Sequence, residues 1–437
     1  MALCQKRAGA FRRLAGWLAA AFLAAALAGT ASSFGVAQEA PSGPADSAEE
    51  EPPFGELFSI VWGVIEQEFA GVPRVNWGEV GARYFRRVAY APSEEEAYEG
   101  LVEMVELLGD PGTFVRTPAE VKARAAQDPG SSFSGVGLVI GTMPSEEIVV
   151  ISVLERGPAH RAGVVKGERI TAIDGEPTAG MSAVEAAQRI RGERGTRVHL
   201  TLLAPHGAER TLAITRGPVQ FEPKVSSRVL DGNIGYIALP SFRSGMDADF
   251  LTHLRRMYRT RALIIDLRNG DGTVSPAVVL RIAGLLTGDP LGALVTRRGS
   301  FAIEPDRAWQ GGTGRFGVPG PTRLDYWEKP VALLVDDSVH ASLFSLAFVH
   351  GLQESGRATV VGRSSGVGGV GYSEIDLPGG GALSLAVGYL VSLKEPRFVQ
   401  VLEPDISVPM DRQYLESWYR GGDLDIERAR EALLAQL

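Results

Sequence analysis

Apolar residues recur at helical spacing from Phe54 to Phe69 and again from Tyr98 to Leu108, which predicts helices with one buried face. Asp110-Pro111 ends the second of these, because the residue before proline is pushed out of the α region. Thr117-Pro118-Ala119-Glu120 combines an N-cap, a first-turn proline and an acidic first turn, so a new helix starts at Thr117. From Asn233 the pattern changes. Apolar runs of strand length, Ile234 to Leu239, Ala262 to Leu267, Val331 to Val335 and Thr359 to Val361, alternate with helical spacing over Asp247 to Tyr258, Val274 to Leu286 and Leu343 to Leu352. That alternation predicts an α/β core. The expected fold is a mixed α/β and β multidomain chain, with a small N-terminal helical domain and a β domain inserted before the α/β core.

Length and composition set the outer bounds. A chain of 437 residues exceeds one small core, and two or three domains are expected. A net charge of −8 argues against a nucleic-acid partner, since phosphate binding needs clustered Lys and Arg. Lys6, Arg7, Arg12 and Arg13 precede an apolar run from Leu14 to Ala28. This reads as an export signal with cleavage after Ala31 or Ala37, and hence a periplasmic or extracellular location. An uncleaved anchor is the alternative and would be the only membrane contact, although the run is short for a span. Cys4, the one cysteine, lies inside the signal without a lipobox. The mature chain then holds no disulfide, no thiol nucleophile and no cysteine-ligated metal, and neither metal nor cofactor is expected. Gln38 to Pro53 is built of Ala, Pro, Ser and Glu and reads as a disordered linker.

Candidate chemistry concentrates between Val331 and Gly371. A buried strand, a sharp turn at Asp336-Asp337-Ser338 and a helix from Leu343 form a geometry that can lift a serine to a helix N-terminus, where free N–H groups stabilise an oxyanion. Ser342 and Ser345 stand near that helix start, but no lysine lies between Lys329 and Lys394, so no serine–lysine pair can form locally. Asn269-Gly270-Asp271-Gly272 after a buried strand suits a loop of exposed N–H groups, or a turn that simply needs glycine. The run Gly366 to Gly371 has no following Lys-Ser/Thr and is not a phosphate-binding loop.

The same segment resembles the core of the C-terminal-processing serine peptidases, the tail-specific proteases. Their pattern is Ser-Ala-Ser-Ala-Ser-Glu opening a helix, then Gly-Arg-Ala, a valine-rich strand and Phe-Gly-Lys-Gly-x-Val-Gln; the middle serine is the nucleophile and the lysine its base. Gly356-Arg357-Ala358 and Thr359 to Gly362 match. The resemblance places the lysine on Gly368 and its supporting glutamine on Tyr372. The nucleophile falls on Leu343 counting back from Gly356, or on Ala341 counting forward from Val335, with Ser342 between, and a helix acid falls on Glu354. Further matches follow in the family's order. Leu108 to Thr113 (LGDPGT) resembles Leu-Gly-Asp-Pro-His-Thr, Ser132 to Ile140 the first strand of the PDZ domain, and Ser152 to Gly175 its centre. Gly235-Tyr236-Ile237, Ser241-Phe242, Asp266 to Asn269 and Glu403-Pro404-Asp405 match core motifs. The resemblance implies an N-terminal helical domain over 54–131, a PDZ-like domain over 132–217, an α/β peptidase-like core over 218–412 and a helical tail over 413–437. It makes Gly272 the oxyanion candidate. It makes Gly135, Val136, Gly137 and Leu138 a carboxylate-binding loop. The strand Leu138 to Ile140 and the helix Ala183 to Arg191, with Leu138, Ile140, Val184 and Ala187 facing inward, form a groove for apolar peptide tails.

A serine without a base in reach is inert. Ser342 has three possible bases. His340 is two residues away at a turn. His350 lies about 12 Å along the helix, and Lys394 is far off in sequence. The expectation is therefore a peptide-binding pseudoprotease that holds protein or peptide C-termini; the alternative is an active serine endopeptidase with Ser342 as nucleophile. A homo- or hetero-oligomer, such as a scaffold assembled with an active relative, is a third reading.

Overall fold

The computed structural model describes residues 52–437 except 72, 74, 128–132, 144, 220–222, 307–324, 337, 339–341 and 365–367. The expected signal, most of the linker, His340 and Ala341 lie outside the described residues.

Helices α1 (Gly55–Glu68), α2 (Trp77–Ala89) and α3 (Glu94–Glu106) open the chain. Helix α2 was not foreseen. Arginines interrupt its sequence, yet Trp77, Val80, Gly81, Val88 and Ala89 fall on one buried face. Strand β1 (Phe114–Arg116) follows, then α4 (Pro118–Gln127). Thr117 caps its start as the sequence predicted, and Glu120 accepts the Thr117 N–H in return, making the cap reciprocal.

The stretch read as the first PDZ strand, with a loop over 135–138 inside it, is divided between β2 (Phe133–Gly135) and β3 (Leu138–Thr142). Gly137 breaks it with φ +78°, a conformation natural to glycine. Then come β4 (Ile148–Val153), α5 (Pro158–Arg161), β5 (Arg169–Ile173), β6 (Glu176–Pro177), α6 (Ala183–Ile190), β7 (Arg197–Leu203), β8 (Glu209–Thr215) and β9 (Gly217–Val219). The sheet order is β3-β4-β5-β7-β8, with β6 on β5 and β2 paired to β9. Its apolar core is closed by α6 through Ala186 and Ile190.

Strands β10 (Ser226–Leu230), β11 (Ile234–Ala238) and β12 (Ala262–Asp266) enclose α7 (Met246–Arg256) in sequence; α8 (Pro276–Leu286), β13 (Ala293–Thr296), β14 (Gly299–Ala302), β15 (Val331–Val335), α9 (Leu343–Glu354) and β16 (Thr359–Gly362) follow. The chain ends with β17 (Val370–Asp376), β18 (Ala382–Val391), β19 (Ile406–Ser407), α10 (Arg412–Tyr419) and α11 (Leu424–Ala435). The central sheet runs β10-β11-β12-β15-β16-β19. From β11 onward it is parallel, and β12 and β15 are buried at every position, as a sheet covered on both faces requires. Helices α7, α8 and α9 cover one face. The other is covered by Tyr414, Leu415, Trp418, Ala429 and Leu433, so the residues read as a tail form an integral layer. A second, antiparallel sheet, β1-β18-β13-β14 with β17 on β18, shares its core with α1–α3 through Leu383 and Leu385. No helix among the described residues is long and apolar enough to cross a membrane.

Candidate functional site

The turn after β15 is tied to the loop after β12. Asp336 Oδ2 accepts the Asn269 N–H at 2.8 Å. Ser338 Oγ accepts the Gly270 N–H at 2.9 Å and donates to Asp336 Oδ1 at 2.6 Å. The next amide, Asp271 N–H, donates to the Pro240 carbonyl. Gly272 N–H alone in this loop has no acceptor among the described residues, and Gly272 lines a small cleft with Ser241, Ser338 and Ser345. Two of the four loop amides are thus satisfied by side chains of the turn after β15, and the Gly272 N–H, on the residue expected as oxyanion candidate, is left without an acceptor among the described residues.

Ser342 is the N-cap of α9, its Oγ accepting the Phe344 N–H at 3.2 Å. The buried Ser345 donates its Oγ hydrogen to the Ser342 carbonyl at 2.9 Å. Among the described residues no amine or imidazole bonds to Ser342 Oγ. Lys394 Nζ donates to the Glu354 carbonyl, at the far end of a helix of 12 residues, about 18 Å along the axis. There the Glu354 carboxylate accepts bonds from Ser392 Oγ and the amides of Leu393 and Lys394, which together with His350 hold its pKa down against burial. His350 faces that same end, Nε2 3.9 Å from Glu354, and burial lowers its pKa. The spacing of these groups from Ser342 follows from helix rise alone.

Gly368, where the resemblance expects the base, carries no side chain. Gly368 N–H donates to the Gln400 carbonyl at 2.7 Å, and at Gly369, φ +81°, a Cβ would overlap the Val399 carbonyl. At Gly371 a Cβ would meet Leu343 Cδ1 at 3.3 Å, so the strand does pass beside the start of α9. Tyr372, where a glutamine was expected, lays its ring where a Cβ on Gly112 would stand, and Gly112 itself stands where the resemblance expects histidine. The two departures compensate each other sterically, a coupling that residues so far apart in sequence did not reveal.

Beneath the loop, Arg268 has a side-chain exposure of only 5%. It is forked onto Asp266, at 2.6 and 2.9 Å, and onto Asp423, at 2.9 and 3.0 Å, and it bonds Asp425 at 2.6 Å. Asp425 also accepts Tyr414 Oη at 2.6 Å. Burial opposes ionisation of Asp266, but the Arg268 guanidinium holds its pKa below the usual carboxylate range. Sequence gave no hint that Asp423 and Asp425 close on the loop. Lys166, from the β5-side sheet, lies 3.5 Å above the Trp418 ring, and burial pushes its pKa down to about 8.

In that sheet β3 is an edge strand, with α6 beside it. Val136 and Gly137 amides have no acceptor among the described residues, while Gly135 pairs with Gly217. Leu138, Ile140 and Ala183 pack partly on the core, Ala187 is half-buried, and Val184 is 68% exposed.

Comparison with known proteins gives these features a context. Residues 233–408 match peptidase family S41, and residues 149–203 match a PDZ domain. The carboxyl-terminal-processing protease of Picosynechococcus sp. is 29% identical over 345 residues, covering 77% of this chain and 78% of that protein. The chloroplastic carboxyl-terminal-processing peptidase 3 of Arabidopsis thaliana is 29% identical over 371 residues, covering 79% and 67%. Among solved structures, the photosystem II D1 C-terminal processing protease superposes with a TM-score of 0.55 at 22% identity, covering 83% of this chain and 97% of its own. A putative S41 protease from Bacteroides fragilis gives 0.56 at 12%, covering 91% and 99%. These two likenesses are of fold.

Proposed function

We propose that the chain is an exported, non-hydrolysing, PDZ-containing member of the C-terminal-processing serine peptidase family that holds protein C-termini, a reading supported by the matches of residues 233–408 to peptidase family S41 and of residues 149–203 to a PDZ domain. One observation carries the reading. Ser342 Oγ is engaged in capping α9, while the base position, Gly368, carries no side chain. Loss of the base costs roughly 10⁴- to 10⁶-fold in serine peptidases. The peptide would enter by adding a strand to β3. Its carboxylate would lie on the Gly135-Val136-Gly137-Leu138 loop and its apolar tail against Leu138, Ile140, Val184 and Ala187. The free amides at Val136 and Gly137 favour this. The parts of the chain are taken as 54–131, 132–217 and 218–412, with export directed by the first 37 residues. The chain offers no metal or cofactor role in this reading.

A second reading, an active endopeptidase with Ser342 as nucleophile, is favoured by the unoccupied Gly272 amide. Purified protein incubated with unstructured peptides bearing apolar C-termini separates the two. The expected result is saturable binding, lost in Leu138→Glu, with no cleavage. Cleavage abolished in Ser342→Asn, which keeps a capping side chain, establishes the second reading instead.

A further inference from the structure

Three buried carboxylates in this protein are answered by guanidinium groups: Asp247 by Arg281, Asp325 by Arg255, Glu168 by Arg210. Asp110 is different. It accepts the Thr113 hydroxyl at 2.6 Å and lies 3.5 Å from the Tyr372 hydroxyl, and among the described residues it has no cationic partner. Tyr372 stands 45% exposed. Tyr389, which pairs with Val370 two residues before Tyr372 on β17, lies edge-on to Phe398 with ring centroids 5.1 Å apart. Burial, and then the Asp110 charge, raise the pKa of both phenols, Tyr372 to about 12. Both rings are therefore neutral, electron-rich faces at physiological pH beside a carboxylate that lacks a counter-charge.

We propose that Asp110, Tyr372, Tyr389 and Phe398 form a cradle for a cationic side chain, arginine or lysine, of the bound polypeptide. The chemistry is a carboxylate to pair with the charge and ring faces to stack on it. The place fits the purpose. A Cβ on Gly371, next to Tyr372, would stand 3.3 Å from Leu343 Cδ1 at the start of α9, so the cradle borders the turn where the family's reacting residues are expected. The residues that displaced the base and its support thus supply a specificity element in their stead. Tyr372 reaches Asp110 only because Gly112 leaves room for its ring. This inference rests on the peptide-holding reading.

The test uses an unstructured peptide with an apolar C-terminus and arginine at every third position, and a twin with citrulline in its place. The full chain is expected to bind the arginine peptide about tenfold more tightly. In Asp110→Asn that preference disappears while affinity for the citrulline twin is unchanged. In Tyr372→Leu, on an exposed ring, it falls severalfold, which keeps the test alive if Asp110→Asn does not fold. Equal affinity for the twins in the unaltered protein overturns the cradle and leaves the peptide-holding reading standing. If neither twin binds, it is the peptide-holding reading that fails. Agmatine alone then decides for the cradle: tyrosine resonances that shift in the unaltered protein but not in Asp110→Asn retain it, and no shift overturns it.

Discussion

The loop after β12 and the strand β17 both reach the segment between β15 and α9, the loop at Asp336 and Ser338 and the strand beside Leu343, but are held by different means. The loop is fixed by charge. Arg268 gathers Asp266, Asp423 and Asp425 beneath it, and Asp336 and Ser338 bind its amides from above. The strand is held by backbone contact and shape: Gly368 on Gln400, Gly369 against Val399, Tyr372 over Gly112. The charged network sits inside the fold, where losing one partner strands the others. Gly368 is held through its backbone N–H, so the fold asks little of whatever side chain stands there. One side of the turn is thus secured by side-chain charge and the other by the course of the main chain.

The sharpest way to break this contrast is Asp425→Ala. It leaves Arg268, Arg363 and Tyr414 short of an acceptor, and denaturant unfolding should show a loss of about 3–5 kcal/mol. A variant within 1 kcal/mol of the parent would mean that the buried charges do not secure the loop. Acid should act on the same network. Asp266 has a depressed folded pKa, so its contribution is complete above the ordinary carboxylate value near 4 and is lost as pH falls through the folded value. Thermal melts should hold steady above that value and drop below it, with a flatter profile in Arg268→Gln.

Lys166 sharpens the comparison from the opposite sign. Its folded pKa of about 8 lies below the ordinary lysine value of 10.5, so between those values the unfolded chain binds more protons and stability rises with pH. Melts from pH 7 to 10 should show that rise, and Lys166→Met should remove it. A smaller effect is expected for Ser342→Ala, about 1 kcal/mol from loss of the α9 cap, with Ser342→Asn near neutral; equal stability of both would deny the capping role. Smallest of all is Gly368→Lys, expected to change stability by less than about 0.5 kcal/mol, since the strand is positioned by its backbone.

How far the sequence disclosed this follows the same physical divide. β12 and β15 were legible because strands buried on both faces read as unbroken apolar runs. The cap at Thr117 was within reach because capping is local; Ser342 was read as a nucleophile candidate and caps α9 instead. What escaped depends on distant partners. Asp423 and Asp425 look like ordinary acids opening a helix until Arg268 is brought to them. Tyr372 looks like a lost glutamine until Gly112 makes room for it. Helix α2 escaped because arginines mask its buried stripe. Ser338 was read as part of a turn, while in the fold it occupies a loop amide.

Mass spectrometry of an unstructured substrate with an apolar C-terminus, after prolonged incubation with the unaltered chain and with Ser342→Asn, tests the central claim most directly. An intact substrate in both samples, from a protein that binds it saturably, is the predicted result. Fragments in the first sample that are absent from the second would show that Ser342 acts as a nucleophile despite the glycine at position 368, and would contradict the account.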